Sequence, residues 1–146
     1  MKILYLLVAL IALTTVTVYA DVPAVQFLAV VAEPTSASKE VEFNWRNEIR
    51  SLHVLPTPII SDPDIESAEV SLEQPNTVNI TLSEAGGVKF KNGIKDMLGK
   101  QIAIVVNGNV VSAPVLQAVE FGRKLQIAGT LSDRETQSLV EKLNQK

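Results

Sequence analysis

The stretch VVNGNVVSAPV, residues 105–115, constrains the fold more than any other part of the chain. Two valine-rich runs meet head-on at Asn107-Gly108-Asn109. Asn and Gly both accept positive φ, and a two-residue reversal of that kind matches the right-handed twist of the strands it joins. The run QIAIVV, Gln101 to Val106, should therefore pair with Val110 to Ala113. Pro114 marks the end of that pairing, because proline brings no ladder donor. QIAIVV is apolar on both faces, which suits a central strand.

The remaining elements are read outward from this hairpin. Val25 to Val31, VQFLAVV, is a first strand. Residues 33–48 are polar without a clear period and read as a loop, with a short strand around Val41 to Phe43. Leu52 to Leu55 is a short strand stopped by Pro56 and Pro58. Ser61-Asp62-Pro63-Asp64-Ile65 opens a brief helix, with a capping residue and a proline in the first turn. Ala68 to Glu73 alternates with Val70 and Leu72 on one face, and Gln74-Pro75-Asn76 turns the chain. Thr77 to Leu82 returns with Val78, Ile80 and Leu82 inward.

Ser83 caps a helix whose apolar stripe is Val88, Phe90, Ile94, Met97 and Leu98, with Gly99 as its stop. Gly86, Gly87 and Gly93 each weaken it by about 1 kcal/mol relative to alanine. Packing of Phe90, Ile94 and Leu98 on a sheet must hold it. Leu125 and Ile127 mark a further strand ended by Gly129. Ser132-Asp133-Arg134-Glu135 is a capping box for a last helix with Thr136, Leu139, Val140 and Leu143 on one face. The order is β-β-β-β-α-β-β-β-α. It predicts an α+β fold: a mostly antiparallel sheet with two main helices packed on one face.

Composition limits the chemistry. The chain of 146 residues is 47% hydrophobic and 20% charged, enough apolar surface for one globular domain. A net charge of −3 gives no long-range field for nucleic acid or anionic lipid. With no cysteine there is no disulfide, thiolate nucleophile, cysteine metal site or lipobox. The opening MKILYLLVALIALTTVTVYA has one n-region charge, Lys2, an apolar stretch from Ile3 to about Val18, and a small-residue cleavage signal in Val18-Tyr19-Ala20. It reads as a signal peptide, residues 1–20, cut between Ala20 and Asp21. An uncleaved anchor is the alternative; the stretch is short for a span of about 20 residues and no basic cluster follows it. No later segment is long enough to cross a membrane, so the mature chain is expected to be periplasmic or secreted.

No catalytic, cofactor-binding or metal-binding residue is assigned from sequence, and no cofactor is expected. His53, the one histidine, reads as an exposed or strand-edge residue. It has no ligand partners at metal spacing and no nucleophile elbow to serve. Asp62, Asp64 and Glu66 lack the glycine and terminal glutamate of a calcium loop; first-turn acids complementing a helix dipole explain them better. Gly86-Gly87 lacks the lysine-serine pair of a phosphate loop and reads as a close backbone approach to the sheet. Asn79-Ile80-Thr81 fits a glycosylation sequon but falls mid-strand. Trp45 near Phe43 reads as a plug over the sheet end, with a binding contact as the other reading.

Several segments together carry a family resemblance. They are Ile65-Glu66-Ser67-Ala68, then Leu82-Ser83-Glu84-Ala85-Gly86-Gly87 to Phe90, Gly99-Lys100, Ile102 to Gly108, Val111-Ser112-Ala113-Pro114, Gly122, Ile127-Ala128-Gly129 and Leu131-Ser132. In order and spacing they resemble the head subdomain of the first periplasmic domain of SecD, an accessory subunit of the bacterial protein-export channel. The resemblance covers roughly residues 52–144. Asn107 stands where the family commonly has aspartate, Leu131 where it has phenylalanine, and Asn92-Gly93 where a threonine-containing segment is usual. SecD continues into membrane helices, so the chain reads as a free-standing head, and the motor activity of SecD does not carry over.

The expected organisation is a signal peptide (1–20), an N-terminal strand and polar loop (21–51) and a SecD head-like domain (52–146). The resemblance implies contact with unfolded or emerging polypeptide outside the membrane. The function expected is thus a non-enzymatic extracytoplasmic binding module for polypeptide or an envelope protein partner, using a sheet edge or groove. The alternatives are a small exported enzyme or enzyme inhibitor, and a structural accessory docked through Asp21 to Trp45.

Overall fold

The computed structural model describes residues 22–145, so the segment read as a signal peptide lies outside the described residues. Nine strands and two α-helices follow one another: β1 (Val25–Val31), β2 (Lys39–Trp45), β3 (Glu48–Val54), β4 (Ile60–Ser61), β5 (Ile65–Val70), β6 (Thr77–Leu82), α1 (Glu84–Ile94), β7 (Ile102–Val106), β8 (Asn109–Ser112), β9 (Lys124–Ala128) and α2 (Asp133–Asn144). A single 3-10 turn, Asp62–Asp64, joins β4 to β5. Every ladder between these strands is antiparallel, and the α+β class read from the sequence holds.

The strands form two sheets rather than one. The larger runs β2-β3-β1-β7-β8, with β4 also on β1; the smaller is β5-β6-β9. The Asn107-Gly108 reversal forms as read, with φ of 49° and 85° at its two residues. It sets β8 on β7, and β7 is buried along its whole length.

Alternation along β1 and β7 splits the interior in two. Phe27, Ile102 and Ile104 point into a main core shared with both helices and the smaller sheet. Leu28, Ala103 and Val105 point the other way, into a second cluster closed by Phe43 and Val54. The second cluster exists because β2 and β3 form a hairpin, and β2 comes to lie against β8. That hairpin corrects the expected loop over 33–48. Val41, Phe43 and Trp45 face inward while Glu40, Glu42 and Asn44 are exposed, a clear two-residue period. Its turn, Arg46-Asn47, takes φ of 50° and 67° without a glycine.

Three further expectations change. β5 ends at Val70, and Leu72 is 100% exposed. A register shift between Ile65 and Ser67 re-phases the strand, so Ile65 and Ala68 are the buried residues. Helix α1 buries Phe90 and Ile94, but Val88 and Leu98 are each 61% exposed. It ends at Ile94, with Met97 buried beyond it, and Gly99 (φ +78°) belongs to the following turn. Helix α2 begins as read: Glu135 N–H donates to Ser132 Oγ at 3.2 Å, and Ser132 N–H to Glu135 Oε2 at 2.6 Å. The Ser132 backbone N–H, and then its hydroxyl, hold the Glu135 carboxyl below its ordinary range.

Candidate functional site

The two sheets touch at one end and splay at the other. Thr130 N–H donates to Val111 O at 3.1 Å and ties the end of β9 to β8. Away from that tie an apolar groove of about 490 Å³ opens between them. Its floor is Phe27 of β1, Ile102 and Ile104 of β7, and Phe90 of α1. Leu125 of β9 forms one wall, and the segment from Pro114 to Phe121 runs across the other side. Phe27 and Phe90 meet edge to face, centroids 6.0 Å apart at 80°, and the Phe121 ring stands 6.0 Å from that of Phe90 at 58°. Edge-to-face contact is a favourable aromatic arrangement and fixes the Phe90 ring.

β9 is the edge strand of the smaller sheet. Leu82 N–H donates to Arg123 O, which makes that pair hydrogen-bonded and, by alternation, Leu125 and Ile127 as well. Lys124 and Gln126 therefore turn their backbone N–H and C=O away from β6, and both residues border the groove. The opposite edge of the same sheet is closed. Asn144 of α2 accepts from Ala68 N–H at 2.9 Å and donates to Ala68 O at 2.8 Å, filling the place a neighbouring strand would take.

The residues weighed from the sequence lie elsewhere. His53 is half-buried in β3, paired across from Glu40 and Val31, so it is an interior-strand residue and not an edge one. Asp62 accepts from Ala24 N–H at 2.8 Å and Val25 N–H at 2.7 Å. Asp64 accepts from Ser61 N–H at 3.0 Å and pairs with Lys89 at 3.0 Å; Glu66 pairs with Arg123 at 2.7 Å. These acids thus have separate structural duties, and among the described residues no group of three or more His, Cys, Asp or Glu could hold a metal.

Gly86 is a close approach, but to the 3-10 turn and not the sheet: a Cβ there would run into the Asp64 carbonyl. Asn79 sits on the middle strand of the smaller sheet and accepts from Gln126 Nε2 at 3.0 Å. Trp45 is half-buried against Phe43, centroids 5.8 Å apart, with Arg46 5.2 Å over its ring. Sequence reading missed Phe27 and Phe121 as groove residues. The available signal was apolar Val115, Leu116, Val119 and Phe121 scattered without period between Pro114 and Gly122.

Fold and groove together define an α+β module of two antiparallel sheets with an apolar cleft between them. The family model of the SecDF P1 head subdomain matches residues 38–145, and the chain belongs to that family. The resemblance read over 52–144 is thereby borne out, and the match reaches back into β2 and β3. The chain is similar to the protein translocase subunit SecD of Aquifex aeolicus, 33% identical over 86 residues, which cover 57% of this chain and 17% of that protein. The subunit SecD of Magnetococcus marinus is 30% identical over 91 residues, covering 61% and 17%. The chain therefore spans less than a fifth of the length of these relatives.

A solved structure of SecDF, described as a membrane component that enhances protein export, matches with a TM-score of 0.64 at 21% identity, over 85% of this chain and 63% of that one. The crystal structure of SecDF in its super-membrane-facing form matches at 0.63 and 19% identity, over 85% and 19%. At these identities the likeness is one of fold. Among the described residues no helix is long and apolar enough to cross a membrane.

Proposed function

We propose that this domain is an extracytoplasmic accessory module of protein export, delivered by residues 1–20 as a signal, whose groove holds an extended stretch of polypeptide without chemical change to it. One observation carries the reading: the apolar floor of Phe27, Phe90 and Ile104 is bordered by a strand edge whose outward backbone groups have no partner among the described residues. Extended polypeptide is the ligand that needs both. Its backbone pairs with a free edge whatever its sequence, and alternate side chains drop into an apolar trough. The family's membership in a translocase component supports the same reading.

The test is titration with a reduced, carboxymethylated polypeptide that stays unfolded in buffer, followed by fluorescence anisotropy. The native chain binds it saturably. Leu125 is only partly buried, packed against the main core. In the folded Leu125→Glu variant the charge on the groove wall weakens binding by about tenfold or more, the effect of a little over 1 kcal/mol. Absence of saturable binding by the folded native chain contradicts the proposal.

A further inference from the structure

The segment that crosses the groove is pinned at its two ends and free between them. At one end Leu116 N–H donates to Lys100 O and Gly99 N–H to Leu116 O, both at 2.8 Å. At the other, Arg123 Nε donates to Leu82 O at 2.8 Å and its guanidinium pairs with Glu66. Among the described residues, none of residues 117–122 makes a backbone–backbone hydrogen bond. Its one aromatic side chain, Phe121, is 42% exposed yet stands against Phe90, which is only 4% exposed. Gly122 beside it has open space on the side where a Cβ would project.

From this we infer that residues 117–122 are a strap and that Phe121 is its plug, an internal stand-in for the ligand side chain, which must swing off Phe90 before the groove fills. A strap with no hydrogen bonds to break moves at little cost, whereas its fixed ends keep the ring over the same site when it returns. The plug also keeps the groove floor from being a permanently bare apolar patch, which in a monomer invites association. Ligand binding is then reduced by the fraction of time the ring is seated, as for any site whose competent state is partly populated.

The inference rests on the groove-binding reading only for the natural ligand, and the test separates the two. The probe is 1-anilinonaphthalene-8-sulfonate, which reports accessible apolar surface, measured beside the thermal midpoint of each protein. Phe121→Ala is expected to bind the probe about fivefold more tightly than the native chain, a ratio set by losing a half-exposed aromatic contact. Phe121→Trp keeps a plug and should bind it no better than native.

Equal or weaker binding by Phe121→Ala overturns the inference. So does an increase that Phe121→Trp shares in full, which would report a loosened fold instead of an open groove. With unfolded polypeptide, weaker binding by Phe121→Ala would make the ring part of the site and sink the plug while the polypeptide reading stands. Tighter probe binding with no polypeptide binding by either protein would keep the plug and sink that reading.

Discussion

Asp62→Ala is expected to destabilise the domain by about 3 kcal/mol and lower its thermal midpoint by about 10 °C. The two oxygens of Asp62 accept the N–H groups of Ala24 and Val25, and both of those residues are fully buried. Removing the carboxylate leaves two donors without a partner, at about 1–3 kcal/mol each, partly relieved by water entering beside Pro23 and Pro63. The effect reaches beyond the contact. β1 is the strand on which β3, β4 and β7 all pair, and these two bonds fix where it starts. Asp62→Asn keeps one acceptor and should fall between the native chain and alanine. Chemical denaturation of the three proteins checks the order; an Asp62→Ala variant as stable as native would remove this role.

Gly129→Ala is the second large effect, again about 3 kcal/mol, at the upper end of what overpacking costs. A Cβ at Gly129 would overlap the Val111 carbonyl, the same oxygen that accepts from Thr130 N–H. Neither atom has a flexible side chain that can yield, so β8 and β9 must part. That junction holds the two sheets together at the closed end of the groove. The variant is therefore expected to lose stability and, in whatever fraction stays folded, amide protection at Thr130 under hydrogen exchange. Native-like protection at Thr130 would show that the sheets are held by something else.

The chain announced some of this plainly. Asn107-Gly108 and the Ser132–Glu135 box are local devices whose geometry depends on adjacent residues, and both form as read. The β2–β3 hairpin was written as legibly in Val41, Phe43 and Trp45, but its charged outer face and an Arg46-Asn47 turn without glycine made it look like loop. The miss at Leu72 has another cause. Ala68 and Val70 stand opposite the buried Ile80 and Val78 as the alternation predicts, but β5 ends at Val70 and Leu72 falls in the exposed stretch beyond it. Val88 keeps the helical spacing yet is exposed on α1, and Leu98 lies past the end of the helix at Ile94, also exposed. The groove is legible least of all. Phe27, Phe90, Ile104 and Leu125 come from four elements and gain meaning only when two sheets meet at one end and part at the other. Phe121 sits in a segment with no period and no hydrogen bonds, the kind of stretch that pattern reading passes over.

The proposed function depends on an apolar cleft with a strand edge along its wall, shaped for extended chain. Amide chemical-shift mapping during titration with unfolded polypeptide addresses that directly. The expected result is a contiguous set of perturbed amides: Lys124 and Gln126 on β9, Ile102 and Ile104 on β7, and the strap residues 117–122. Perturbation confined to the β2–β3 hairpin around Trp45, or no perturbation at saturating polypeptide, would contradict it.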